Sequence, residues 1–134
     1  MATATVKYLG GLRTHNEHLK SGSTFITDAP VDNNGKGEAF SPTDTVATGL
    51  ANCMLTIMGI KAAQMNIDLE GSTAQVTKTM ASDPRRISQI EIDFKMTATV
   101  DAKSMKILEA AAHNCPVHHS LHPDIEKNIT FTWA

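Results

Sequence analysis

The run from Ser41 to Ile60 constrains this chain more than any other stretch, because it specifies one long helix with a cysteine near its middle. Ser41 is a favourable N-cap, its hydroxyl able to accept a bond from an unpaired backbone N–H. Pro42 suits the first helical position, where a missing N–H costs nothing. Asp44 stands three residues after the cap, which places a carboxylate at the positive helix end and completes a short capping box. The pattern runs to about Gln64 or Met65, roughly 35 Å at 1.5 Å per residue. Apolar or small residues fall on nearly every face, as in a helix buried on several sides. Along this helix Asp44 and Cys53 are nine residues apart. That spacing is about 180° of rotation and roughly 13 Å of rise, so the acid cannot touch this thiol within one straight helix.

A fold built on this helix has 134 residues to work with, the size of one domain with a real core, and the chain reads as a single domain, 1–134. A net charge of −2 gives no electrostatic basis for binding nucleic acid or an anionic membrane. The N-terminal residues lack the charged region and apolar core of a signal peptide. Val46 to Ile60, the most apolar run, is too short to span a bilayer. These features fit a cytoplasmic protein.

Around the helix the periodicity changes. Thr3 to Leu9 and Ser23 to Thr27 are strand-like, with Gly10-Gly11 marking a turn and Arg13, His15 and His18 on a strand or hairpin between them. Asp28-Ala-Pro30 stops the second run, and Asp32 to Gly37 forms a turn-rich loop into the helix. Beyond it, Ala74 to Met80 alternates as a strand and residues 81–86 make a polar turn. Ile90, Ile92, Phe94, Met96, Ala98 and Val100 then alternate with polar residues, predicting a long strand with one face on the core. A second helix is predicted from Ser104 to His113, opened by Asp101 or Lys103 and closed by Asn114. A short helix follows, opened by Pro116, and the segment from Asn128 to Trp133 closes the chain as a strand. This order of elements is an α+β domain.

The two cysteines, Cys53 and Cys115, are 62 positions apart and form neither a disulfide framework nor a CxxC motif. In a reducing compartment such a pair can be two inert buried thiols. Cys115, however, directly precedes a proline-started helix, where unpaired N–H groups and the positive helix end can favour a thiolate. Cys53 is mid-helix with no free N–H nearby, so its activation must come from another segment. Arg13 is the best candidate in the N-terminal half, since a guanidinium is always charged and can orient a polar group.

Ser41-Pro-Thr-Asp44, the small and apolar run to Asn52-Cys53, and Asn114-Cys-Pro-Val117 together resemble the two signature segments of the OsmC/Ohr family. The likeness extends from Val6-Lys-Tyr8 through Trp133, and the order of elements and the cysteine spacing agree. Thr43 stands where Ohr proteins carry a glutamate, and Asp44 where many OsmC-like members do, so the chain is more similar to the OsmC-like branch. The resemblance implies an OsmC-like fold, with antiparallel sheets around a long central helix, built as an intertwined homodimer. It implies a thiol-dependent peroxidase acting on organic hydroperoxides, with hydrogen peroxide a further candidate, and needing no cofactor. Cys53 would be the peroxidatic residue, becoming a sulfenic acid that Cys115 resolves as a Cys53–Cys115 disulfide. A dithiol, lipoylated proteins being the donors in the Ohr branch, would reduce it. Arg13 would be the family's arginine and Asp44 its carboxylate partner.

Two other readings stay open. Cys115, His118, His119 and His122 form a soft-ligand cluster, with His113 adjoining, of a kind that zinc accepts. The fold can also persist as a non-catalytic binding protein with idle thiols.

Overall fold

A computed structural model describes residues 1–134. They form two compact units, Met1–Val46 and Ala47–Ala134.

The first unit is a three-stranded antiparallel sheet of β1 (Ala4–Gly10), β2 (Arg13–His18) and β3 (Thr24–Asp28), in that order. Gly10 and Gly11 adopt φ of 80° and 61°, which glycine takes without steric cost, and so reverse the chain between β1 and β2. The sheet buries little: only Thr27 and Asp28 of its strand residues are buried, and all of β1 is exposed. A single 3₁₀ turn, Val31–Asn33, follows β3. Gly35 comes so close to Ala29 that a Cβ there would sit 1.7 Å from the Ala29 carbonyl oxygen.

Helix α1 (Pro42–Gln64) leads out of this unit. The capping box is formed as the sequence predicts: the Asp44 N–H donates to Ser41 Oγ at 3.0 Å, and the Ser41 N–H donates to Asp44 Oδ2 at 2.9 Å. By length and composition α1 could cross a membrane, although the apolar run inside it reads as too short. One face of it nevertheless makes protein core, through Ala47, Leu50, Ala51, Met54 and Met58. The opposite face leaves Val46 and Ile60 exposed. There Asn52 and Thr56 turn their side chains back onto the helix carbonyls of Thr48 and Asn52. The burial on several sides that the sequence suggests is therefore met on one side only within the single chain.

The core partner of α1 is the sheet of β4 (Thr73–Ala81), β5 (Arg86–Met96) and β6 (Glu126–Trp133), ordered β4-β5-β6. Strand β5 supplies Ile90, Ile92, Phe94 and Met96 to the core, the inward half of its period-2 pattern. Its ladder stops at Met96, although the alternation continues to Val100. At Thr97 the backbone N–H bonds Ser72 Oγ and the hydroxyl bonds the Glu70 carbonyl, replacing ladder partners. Phe94 stacks on Phe131 of β6, ring centroids 5.0 Å apart.

The α+β architecture with two small sheets and a central helix is as expected, but the second sheet is not antiparallel throughout. β6 runs parallel to β5, with Ile92 beside Ile129 and Phe94 beside Phe131. A parallel return needs a crossover connection. Here α2 (Ala102–His113) and α3 (Pro116–Ser120) supply it. Asp101 caps α2, its Oδ1 accepting the Ser104 N–H at 2.8 Å, while Leu108 and Ala112 bury its inner face.

Candidate functional site

The crossover sets Cys115 between two helices. Asn114 closes α2, and Cys115 is the N-cap of α3, with Pro116 at the first helical position. Its Sγ accepts the His118 N–H at 3.3 Å, which fills one of the donor groups a helix start leaves unpaired. The residue is fully buried within the core made by α1 and β5. Cys53, half-buried on α1, packs against the same core, near enough that it is one of the groups raising the Cys115 pKa. Both are free. A mid-helix residue and a residue 62 positions later thus share one site.

The electrostatics of Cys115 differ from the sequence expectation. The N-terminal end of α3 is in place, and the His118 N–H does pull the thiol pKa down. Burial is the larger effect and pushes it up, and the neighbouring Cys53 adds to the rise, so the net shift is upward from 9.0. A helix start favours a thiolate only where water or a cation shares the charge; a fully buried sulfur pays more for losing its solvent.

The histidines near Cys115 do not converge on it. The His118 ring lies edge-on to His113 with centroids 6.0 Å apart, and His119 Nε2 contacts Asn114 Oδ1 at 2.6 Å. His122 faces its neighbour Asp124. Burial first, then the nearby Lys127, His113 and His119, lower the His118 pKa below 6.5. No three His, Cys, Asp or Glu side chains are grouped to hold a metal ion. The zinc reading of Cys115, His118, His119 and His122 has no geometry to support it.

Arg13 and Asp44 belong to the first unit. Arg13, at the start of β2, stands across the sheet from Asp28, at the end of β3. Its Nε and Nη2 donate to the two Asp28 oxygens at 2.7 and 2.8 Å, a bidentate fork, and Nη2 also reaches Glu38 Oε1 at 3.4 Å. Asp28 is buried and accepts the Glu38 N–H as well. These bonds hold its carboxyl below the usual 3.8, the Arg13 hydrogen bond being the largest cause, and raise the Arg13 pKa in return. The resemblance assigns Asp44 as the arginine's carboxylate partner; within the first unit Arg13 forks onto Asp28, and Asp44 accepts the Ser41 N–H at the helix cap. Asp28 carried one usable signal, an acid at the buried end of a strand beside a turn.

Comparison with known families matches residues 35–130 to the OsmC-like proteins. The chain belongs to the OsmC family. Among solved OsmC-fold structures, one from Psychrobacter arcticus 273-4, provisionally named for an osmotic-stress-induced and detoxification response, is 55% identical with a TM-score of 0.96. It is matched over 98% of this chain and 96% of its own. An organic hydroperoxide resistance protein OsmC from Legionella pneumophila shares the fold at 19% identity and a TM-score of 0.72, over 98% of each chain. Another organic hydroperoxide resistance protein, from Elizabethkingia anophelis, is 16% identical with a TM-score of 0.77, over all of this chain and 98% of its own. Comparison with curated proteins found no match.

Proposed function

We propose that this OsmC-family protein is a thiol-dependent peroxidase that reduces organic hydroperoxides, with hydrogen peroxide a further candidate substrate. One observation carries the reading: a half-buried thiol and a fully buried thiol, remote in sequence, meet in one site. Two inert core cysteines would need no such pairing, and Cys53 retains the access that a small oxidant requires. Hydroperoxide resistance, the role for which the Legionella and Elizabethkingia proteins are named, is the matching chemistry.

The Cys53 thiolate attacks the distal peroxide oxygen. The O–O bond breaks, an alcohol leaves with one proton, and Cys53 becomes a sulfenic acid. Cys115 then loses its proton and attacks the Cys53 sulfur, expelling water and leaving a Cys53–Cys115 disulfide. A dithiol, with a lipoylated protein as candidate, returns both residues to thiols. Arg13 is the proposed stabiliser of the Cys53 thiolate, with Asp44 as the acid of the same site; within the first unit Asp28 and Glu38 accept from the guanidinium.

We also propose a homodimer acting in the cytoplasm. In the single chain Val6, Tyr8, Leu9 and Phe25 of the first sheet, with Val46 and Ile60 on α1, are exposed. A second copy of the chain would cover apolar surface of this extent.

Reduced protein mixed with an organic hydroperoxide should lose two thiols per chain and gain a Cys53–Cys115 disulfide by peptide mapping. Cys53→Ser should abolish thiol consumption, and Cys115→Ser should leave a trapped sulfenic acid at Cys53. Retention of both thiols through many equivalents of peroxide would rule out the enzyme. Arg13→Met should slow the loss of the Cys53 thiol to hydroperoxide, and an unchanged rate removes Arg13 from the site.

A further inference from the structure

Asp28 is the only charged side chain that is fully buried, and the chemistry proposed above gives it no task. Its sheet buries just one other strand residue, Thr27, so Asp28 does not fill a hydrophobic core. Both its oxygens are engaged within the first unit. Arg13 Nε and Nη2 donate to Oδ1 and Oδ2 at 2.7 and 2.8 Å, and the Glu38 N–H donates to Oδ2 at 3.1 Å. The loop after β3 delivers that third donor. It is closed by the Asp28 N–H on the Phe40 carbonyl at 3.0 Å and by the Gly37 N–H on the Ala29 carbonyl at 3.2 Å. A side chain at Gly35 would strike the Ala29 carbonyl, so the loop has one tight path.

A buried ion pair is an inefficient way to stabilise a fold, since apolar residues of like volume commonly serve as well; what it can fix is geometry. The geometry fixed here is that of the guanidinium. Asp28 takes the edge formed by Nε and Nη2, and Glu38 Oε1 reaches Nη2 as well, at 3.4 Å. Nη1 makes none of these bonds, and the Arg13 side chain is 32% exposed, enough for its free edge to meet a further group. A planar fork can hold one acid on one edge and present the other edge at a set angle, which a lysine cannot do.

We propose that Asp28 is a positioning residue of the thiol site: it clamps one edge of Arg13 so that the Nη1 edge is held ready for the Cys53 thiolate. This rests on the reading of Arg13 as the stabiliser of that thiolate. Charge by itself predicts the opposite influence. Two acids on one guanidinium leave the group net negative, so removing one of them should draw an anion in. Loss of the clamp should instead let Arg13 swing away.

Two alkylating reagents separate these effects. In full-chain protein carrying Cys115→Ser, where Cys53 is the only thiol, the alkylation rate with anionic iodoacetate is divided by that with neutral iodoacetamide. A change that loosens the fold moves both rates together. Asp28→Asn is expected to lower the ratio about threefold, the scale of one exposed charge pair. It is also expected to slow thiol loss to an organic hydroperoxide about tenfold, the scale of one charge-assisted hydrogen bond. Arg13→Lys, which keeps the charge without the fork and alters no buried residue, is expected to do the same. A ratio that rises or stays level in Asp28→Asn, or full parental behaviour in Arg13→Lys, overturns the proposal and leaves the thiol chemistry standing. An Arg13→Met ratio and rate equal to the parent's remove Arg13 from the site, and this inference with it. Adding Asp28→Asn to Arg13→Met is expected to cause no further loss, and a further loss would show that Asp28 acts by another route and overturn the proposal. Alkylation needs no peroxide, so a parent that ignores hydroperoxide yet shows the fall in ratio would lose the peroxidase reading and keep the clamp.

Discussion

Closure of the proposed Cys53–Cys115 disulfide would require Cys115 to ionise inside the core, which makes its rate a direct measure of how burial and the α3 cap balance. The ordinary thiol value is 9.0, and burial, the largest effect, holds the folded value above it despite the His118 N–H. Near neutral pH the thiolate fraction of Cys115 is then below about 1%, and it grows about tenfold per pH unit until the pKa is reached. If attack by this thiolate limits the step, closure should speed up about 100-fold between roughly pH 7 and pH 9. The assay has two parts. Ultraviolet absorbance of the thiolate in Cys53→Ser, where Cys115 ionises alone, should titrate above 9.0, since burial persists when the neighbouring thiol is gone. Wild-type protein, given one equivalent of hydroperoxide and acid-quenched over time, should show the same steep rise in disulfide closure. A flat profile, or a titration below the ordinary thiol value, would mean that the helix end outweighs burial and that the reasoning from desolvation is wrong.

Two further outcomes test the frame around the site. Phe94→Ala removes a fully buried ring that stacks on Phe131, and should destabilise the protein by about 3–5 kcal/mol in denaturant unfolding; a loss under about 1 kcal/mol would mean that β5 is not the core strand. Asp28 has a folded pKa below 3.8, so its ion pair is fully in force above that value and is lost as pH falls through the folded pKa. The stability gap between wild type and Asp28→Asn should therefore narrow as the solution is acidified below 3.8, and a gap that widens there would reverse the assignment.

Much of this fold is legible from local chemistry. The Ser41–Asp44 capping box, the alternation of β5, Asp101 as a cap and Pro116 at a helix start each depend on neighbours a few residues away. What escaped the sequence depends on pairing over distance. The parallel β5–β6 pairing leaves no local mark, because Ile129, Phe131 and Trp133 alternate in the same way whichever direction the neighbouring strand runs. The Arg13–Asp28 fork arises only from the β2–β3 register. The upward shift of the Cys115 pKa arises first from the depth of the core around it and then from the neighbouring Cys53, neither of which a motif of cysteine and proline can express. The cysteine pair lies between these cases: motif marks its members, and only the family resemblance implies that they meet.

The crossover that carries Cys115 also has a bearing on how the molecule is made. β4 and β5 are joined by a short turn and can pair early, whereas β6 must wait for α2 and α3 to pass across the sheet. Contacts that close long stretches of chain form late, since the entropy of closing them is lost before any contact repays it. Cys53 precedes β4 and Cys115 lies inside the crossover itself, so they meet only once the crossover has packed against α1. An immature chain carries two separate thiols, so the proposed oxidant chemistry would become available only as the crossover packs, and the proposed reaction would serve as a report of native structure.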